Sequence, residues 1–173
     1  ALWQGEKVQV EVNEDKQGRL EGRVVEVLEA SAQRTIPPCA YFGVCGGCQW
    51  QHMDYSLQLQ LKQHILKNYL ENIAKIPHPH VSPTLPSPDP WHYRNHARFS
   101  TDDEGRLGFI GTDGKKFLAI DYCHLMDPTI NRLLGELQGE LPDTHQVTVR
   151  FGTGSGEQLI QPSLENTNGT VVS

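Results

Sequence analysis

The strongest constraint on this chain comes from its cysteines. The chain has four cysteines, of which three lie close together and one lies far along the sequence: Cys39, Cys45, Cys48 and Cys123. Gly46 and Gly47 fill the gap between the second and third cysteine. Because glycine has no Cβ, the backbone there can turn tightly and bring its N–H groups close to thiolate ligands. Thiolates gathered in this way hold an iron–sulfur cluster or a tetrahedral zinc ion.

Three interpretations of these sulfurs compete. A disulfide framework suits small secreted domains and is the weakest, since 173 residues are enough to form a real core. Structural zinc sites usually pair two C-x2-C knuckles, whereas here three cysteines come from one loop and one from afar. That three-plus-one arrangement is more typical of iron–sulfur ligation. Spacing alone therefore favours an iron–sulfur cluster and leaves zinc open.

Charge and hydropathy narrow the class of protein. The formal net charge is −6, which by itself disfavours a nucleic-acid partner, although the distribution of charge matters more than the sum. No apolar run is long enough to span a bilayer, and nothing resembles a targeting peptide. Reduced, metal-bound cysteines indicate the cytosol. We expect a cytoplasmic protein with no membrane partner.

Hydrophobic periodicity predicts β-structure, then a helix, in the first half. Alternating residues predict strands at Lys7–Val12 and Gly22–Leu28. A helix is predicted from Tyr55 to Ile76, with Asp54 as its N-cap. The apolar stripe of this helix contains Leu57, Leu61, Ile65 and Tyr69, widened by Leu66, Leu70 and Ile73. Six prolines make residues 77–90 an extended linker.

The second half has the pattern of an antiparallel sheet with one helix. Strand-like runs lie at His92–Thr101, Leu107–Ile110, Phe117–Ile120, Gln146–Phe151 and Glu157–Ile160. Asp127-Pro128 combines an N-cap with proline at the first helical position, so a helix is expected to begin there. The predicted fold class is α+β.

Residues 92–99 contain two arginines, two histidines and no acid. Alternate residues of a strand share a face, so Arg94, His96 and Arg98 are expected to point one way. Tyr93, Ala97 and Phe99 are expected on the opposite, buried face. Such a basic stripe suits a phosphate backbone or stacked bases, although an ordinary solvated strand has the same pattern. Lys62 and Lys67 on the preceding helix would extend it.

Several segments together resemble the RNA uracil-C5 methyltransferases, which make 5-methyluridine in ribosomal or transfer RNA with S-adenosylmethionine. Pro37–His52, followed by Tyr55, Gln58 and Lys62, is similar to their cluster-binding signature. The similarity continues through Trp91–Asn95, Leu107–Phe109 and Asp121–Leu125. Residues 1–38 resemble the later strands of the TRAM module, a small RNA-binding β-barrel. The resemblance therefore covers nearly the whole chain.

The resemblance implies a [4Fe–4S] cluster on Cys39, Cys45, Cys48 and Cys123. The cluster would staple a central RNA-binding domain, residues 39–162, that follows the partial TRAM-type module. Residues 163–173 would be a linker toward an absent methyltransferase domain, which binds S-adenosylmethionine and supplies the nucleophilic cysteine. We therefore expect a monomeric fragment that binds RNA containing an unpaired target uridine and is inactive alone. Arg94, His96 and Arg98 are the expected RNA contacts.

Two other classes of protein share the cysteine spacing. One is a stand-alone iron–sulfur electron carrier or sensor, which would need no RNA. The other is a zinc-stapled RNA-binding module without an enzymatic parent. Neither basic residues nor barrel-like strands are expected of the carrier.

Overall fold

A computed structural model describes residues 5–141 and 143–162 of the chain, so the predicted linker at 163–173 lies outside the described residues. The chain forms two compact units. The first unit comprises residues 1–37 and 49–85, and the second comprises residues 38–48 and 86–173. The described residues form two helices and two antiparallel sheets, which confirms the α+β class.

The first unit begins with a two-stranded antiparallel hairpin, β1 (Lys7–Glu14) and β2 (Leu20–Glu29). Asp15 closes the turn between them, because its Oδ1 accepts hydrogen bonds from the N–H groups of Gln17 and Arg19 at 2.8 and 2.9 Å. Among the described residues, β1 and β2 pair only with each other, and they close no barrel. The TRAM-type assignment of this hairpin stays a prediction.

Helix α1 (Tyr55–Asn72) begins as predicted, with Asp54 Oδ1 accepting from the Ser56 N–H at 2.7 Å. It ends four residues before the predicted Ile76, where the N–H groups of Ile73 and Ala74 both donate to the Tyr69 carbonyl. The apolar stripe of α1 is mostly exposed in the structure: Leu57 is buried and Leu61 is half-buried, whereas Ile65 is 38% and Tyr69 57% exposed. Helical spacing predicts a shared face but not what covers it.

The second unit is built on a five-stranded antiparallel sheet with the strand order β5-β4-β3-β6-β7. In chain order the strands are β3 (His96–Thr101), β4 (Leu107–Ile110), β5 (Phe117–Ala119), β6 (Gln146–Phe151) and β7 (Gln158–Gln161). Helix α2 (Pro128–Glu136) begins at the predicted cap, with Asp127 Oδ1 accepting from the Thr129 N–H at 2.7 Å. The helix packs on one face of this sheet.

The core of the second unit lies between α2 and the inner face of the sheet. Its buried members include Ala97, Phe99, Val147, Val149, Ile160, Ile130, Leu133 and Leu134. Inner and outer residues alternate along β3, where Ala97 and Phe99 are buried and His96 and Arg98 are exposed. The outer face of β3 and β6 is therefore open to solvent.

The predicted strand at His92–Thr101 begins four residues late. His92 has a left-handed backbone with φ of 54°, and its N–H donates to the His124 carbonyl at 2.9 Å. Arg94 pairs with the segment at Met126 and not with a strand of the sheet. Tyr93 is consequently 57% exposed, so its predicted place on the buried face is wrong.

Candidate metal centre and nucleic-acid interface

The loop that contains the first three cysteines is held by main-chain hydrogen bonds. Cys45 donates its N–H to the Tyr41 carbonyl at 2.8 Å, which tightens the turn. Gly46 donates to the Ile110 carbonyl at 3.1 Å, and Cys45 forms an isolated bridge with Gly111. The loop is therefore attached to the end of β4.

The predicted need for glycine is confirmed at one position of the pair. A Cβ on Gly46 would lie 2.9 Å from the Ile110 carbonyl oxygen, closer than such contacts occur. A Cβ on Gly47 would meet only the Cys45 Sγ, at 3.5 Å, which is an ordinary contact. Gly47 acts through its main chain, since its N–H lies 3.4 Å from the Cys45 Sγ.

The segment around Cys123 is fixed by Asn131, a buried side chain of α2. Its Oδ1 accepts from the Cys123 N–H at 2.8 Å, and its Nδ2 donates to the carbonyls of Cys123 and Met126 at 3.1 and 3.2 Å. The sequence analysis missed this residue. A signal was present, because Asn131 follows Ile130 directly inside an otherwise apolar helix face.

Two segments of the predicted signature meet beside Cys123. Residues 92–94 run along residues 124–127, with the Arg94 N–H donating to the Leu125 carbonyl at 2.8 Å. Aromatic rings surround the junction, with centroids 5.0 Å apart for Tyr122 and His124 and 6.0 Å apart for Trp91 and His124. Trp91–Asn95 therefore braces the Cys123 segment.

A second brace links the cysteine loop to the residues just before Cys123. The Tyr41 hydroxyl donates to Asp121 Oδ1, and the Asp121 N–H donates back to that hydroxyl at 3.3 Å. The side-chain hydrogen bond raises the pKa of Tyr41 and lowers the pKa of Asp121. Two residues 80 positions apart in the chain are thus joined without a metal ligand.

All four cysteines belong to the second unit, none forms a disulfide bond, and each is half-buried. Burial, followed by repulsion from Cys48 and Cys39, raises the pKa of the Cys123 thiol. Main-chain N–H groups of Leu125 and Met126 act in the opposite direction, since they hydrogen-bond the sulfur and favour the thiolate. The fold therefore brings Cys123 within electrostatic range of Cys39 and Cys48.

The spacing of these sulfurs bears on the kind of group they could hold. Four ligands of a zinc ion surround one point at about 2.3 Å each. In the part of the chain that the structure describes, no group of three or more His, Cys, Asp or Glu side chains could hold a metal ion. The choice between a cluster and zinc therefore stays a prediction from the spacing of the cysteines in the sequence.

The open face of the sheet has an unusual charge distribution. Its five strands contain two arginines, one histidine and no Asp or Glu. In the register, His96 lies opposite Arg150, which lies opposite Leu159, and Arg98 lies opposite Thr148. Residues directly opposite one another share a face. His96, Arg98 and Arg150 therefore form one exposed basic group, which we call the basic face.

Arg150 is the member of the basic face that the sequence analysis missed. It lies on β6, and only the pairing of β6 with β3 brings it beside His96. Arg94 was predicted to belong to the group, but it precedes β3. Lys62 and Lys67 lie on α1 in the first unit, so their predicted addition to the group stays untested.

Ion pairing separates the arginines of the second unit into two sets. Arg106 contacts Asp102 at 2.7 Å, and Arg132 contacts Glu136 at 2.7 Å. Among the described residues, Arg94, Arg98 and Arg150 form no salt bridge. Among the described arginines of this unit, those on or beside the open face are thus the ones available to an anion.

The chain resembles known proteins over most of its length. No family model matches it. An RNA methyltransferase of Halalkalibacterium halodurans, named as uncharacterized, is 35% identical over 90% of this chain. The 23S rRNA (uracil(1939)-C(5))-methyltransferases RlmD of Histophilus somni and Xylella fastidiosa are 36% and 38% identical over 76% and 68% of it. The chain belongs to the RNA methyltransferase family that includes these uracil-C5 enzymes.

This RNA methyltransferase chain corresponds to part of its relatives. It spans 38% of the Halalkalibacterium protein, 31% of the Histophilus protein and 27% of the Xylella protein. The predicted resemblance to the uracil-C5 methyltransferases is confirmed. Among the described residues of this family member, no helix is long and apolar enough to cross a membrane.

Proposed function

We propose that this chain is the RNA-binding, [4Fe–4S]-carrying portion of an S-adenosylmethionine-dependent methyltransferase that modifies uracil C5 in ribosomal RNA. The observation that carries the proposal is that one unit contains all four cysteines and a sheet without acidic residues, whose arginines form no salt bridge with any described residue. The cytoplasmic location and the monomeric state remain predictions.

The chemistry of the reaction divides the work between parts of the protein. Methylation at C5 requires a thiolate that adds to C6 of the uracil ring, which makes C5 nucleophilic toward the methyl donor. The target base must also leave its stack to reach that thiolate. If all four cysteines of this chain ligate the cluster, the nucleophile and the S-adenosylmethionine site belong to another part of the enzyme. This chain then binds and orients the RNA.

Cys39, Cys45, Cys48 and Cys123 would hold the cluster. When bound, the cluster would act as a cross-link that closes the long loop between Cys48 and Cys123 and so stabilises the second unit. Three features support this ligand set: the electrostatic repulsion that Cys48 and Cys39 each exert on Cys123, the N–H groups directed at the sulfurs, and the anchoring of Cys123 by Asn131.

The charge distribution supports the sheet as the RNA-binding surface. The β1–β2 hairpin, including its turn, contains four basic and six acidic side chains, and Lys7 and Arg23 of its strands pair with glutamates. Such a hairpin repels phosphate more than it attracts it. The basic face instead presents Arg98 and Arg150 without carboxylate partners among the described residues. An open antiparallel face is also a surface on which unpaired bases stack.

The test is a salt titration of RNA binding. Each lysine or arginine that contacts a phosphate contributes about one unit to the slope of log affinity against log salt. We expect replacement of Arg98 and Arg150 together by alanine to weaken binding to a looped RNA and to reduce that slope by about two.

Arg132→Ala is the matched control, because Arg132 is an exposed arginine of the same unit that pairs with Glu136. It should leave the slope close to that of the wild type. Equal slopes for the wild type and the double variant would show that the basic face is an ordinary solvated surface.

A further inference from the structure

An open groove of about 670 Å³ lies at the end of the basic face, where β3, β6 and β7 meet. Three of its lining residues form one row across the strands, in the order His96, Arg150 and Leu159. Its volume falls in the range of small-ligand sites. The groove therefore continues the surface to which the RNA backbone is proposed to bind.

The row offers the surfaces on which a nucleobase packs. An imidazole ring and a guanidinium plane stack on bases, and an aliphatic side chain covers the rest of the ring. Leu159 is 41% exposed although it is apolar, so it is available for such contact. Arg150 has no salt bridge among the described residues, so its charge is available to the phosphate of the same nucleotide.

Glu157 is the acidic residue among those that line the groove, and it stands at the turn after β6. Within the sheet itself there is no acid, so a carboxylate here is conspicuous. It disfavours phosphate but accepts hydrogen bonds from base N–H groups. Guanine presents two adjacent donors, N1–H and the N2 amino group, which match the two oxygens of a carboxylate. Uracil presents only one.

We infer that this groove binds one unpaired guanosine of the RNA, with the base on the His96–Arg150–Leu159 row and its N1–H and N2 amino group on Glu157. The inference rests on the proposed function, since it assumes that the basic face binds RNA. It assigns to the chain a base-specific subsite that is separate from the target uridine.

The test uses fluorescein-labelled heptamers of uridine, without substitution or with one central guanosine or inosine. Inosine keeps N1–H but lacks the N2 amino group. We expect the wild-type chain to bind the guanosine heptamer about tenfold more tightly than the all-uridine heptamer, with the inosine heptamer in between. Glu157→Gln should bind the guanosine and all-uridine heptamers with equal affinity.

Glu104→Gln serves as the control, since Glu104 is an exposed carboxylate at another turn of the same sheet. It should keep the preference for guanosine. The inference is overturned if the wild type does not distinguish the heptamers or if Glu157→Gln retains the preference. In that case, loss of all-uridine binding in the Arg98 and Arg150 double variant would show that the proposed RNA binding stands. If the wild-type chain binds none of the heptamers, both the guanosine inference and the proposed RNA binding are overturned.

Discussion

Gly46 is enclosed by main-chain oxygens, with the Ile110 and Gly111 carbonyls on the side where a Cβ would lie. Alanine at this position would push the cysteine loop away from β4. We expect Gly46→Ala to lower the free energy of unfolding by about 1–3 kcal/mol, the usual cost of overpacking. Urea denaturation, together with the iron content of the purified protein, measures the effect.

Gly47→Ala is the matched control for this substitution. It adds the same methyl group one residue away, where the nearest atom is the Cys45 Sγ at 3.5 Å. The alanine variant keeps the N–H group that faces that sulfur. If both variants lost stability equally, the close approach of Gly46 to Ile110 would not be the reason for a glycine there.

The role of single residues was only partly predictable from the sequence. The two glycines were recognised because their position between cysteines suggests a tight turn, but the sequence does not show that only Gly46 faces a carbonyl. Asn131 was missed because its partners are main-chain groups eight and five residues away. Such contacts depend on how the chain folds back, so an asparagine in an apolar helix face is a signal that does not identify its partners.

At the scale of elements, the N-caps of the two helices allow a direct comparison. Asp127→Ala and Asp54→Ala each remove a side-chain acceptor 2.7 Å from an N–H group of the first helical turn. Each should destabilise its helix by about 1 kcal/mol. Only α2 carries Asn131, so we expect iron to be released faster to a chelator from Asp127→Ala than from Asp54→Ala.

Two measurements, denaturant unfolding and the rate of iron release, distinguish the effects of the two substitutions, because α1 and α2 belong to different units. Denaturant unfolding reports the loss of the cap, whereas the rate of iron release reports the metal centre. Equal release rates from the two variants would contradict the view that α2 fixes the position of Cys123.

Elements were predicted well where the signal is local and poorly where it depends on distant partners. Asp127-Pro128 and Asp54 located both helix starts, because caps act within one turn. The start of β3 was placed too early, since alternation continues back to His92 while the hydrogen bonds of residues 92–94 go to residues 124–127. The exposure of most of the α1 stripe could not be predicted either, because the period of a helix does not identify the surface that packs against it.

For the molecule as a whole, the position of all four cysteines in the second unit predicts where the metal matters. We expect the chain purified without oxygen to be brown and to contain iron, because the ligand spacing fits a cluster. Removal of the metal should speed amide exchange in β3, β6 and α2, since folding and metal binding are coupled. Helix α1, which lies in the first unit, should keep its exchange rates.

Hydrogen exchange followed by mass spectrometry compares the holo and metal-free proteins segment by segment. The comparison also tests whether the cluster stabilises the long helix α1. Colourless protein with one zinc ion per chain would contradict the cluster assignment. Uniform acceleration of exchange throughout both units would contradict the view that the metal stabilises only the second unit.

The alternation along β3 and β6 has a consequence for genetics. Inward positions such as Phe99 and Val147 are fully buried, so substitutions there reduce folding and yield temperature-sensitive alleles. Outward positions such as Arg98 and Arg150 support no core contact, so substitutions there leave a folded protein whose RNA-binding defect is largest at low salt and shrinks as salt is raised. Adjacent codons of one strand should therefore give two distinguishable phenotypes, alternating with a period of two.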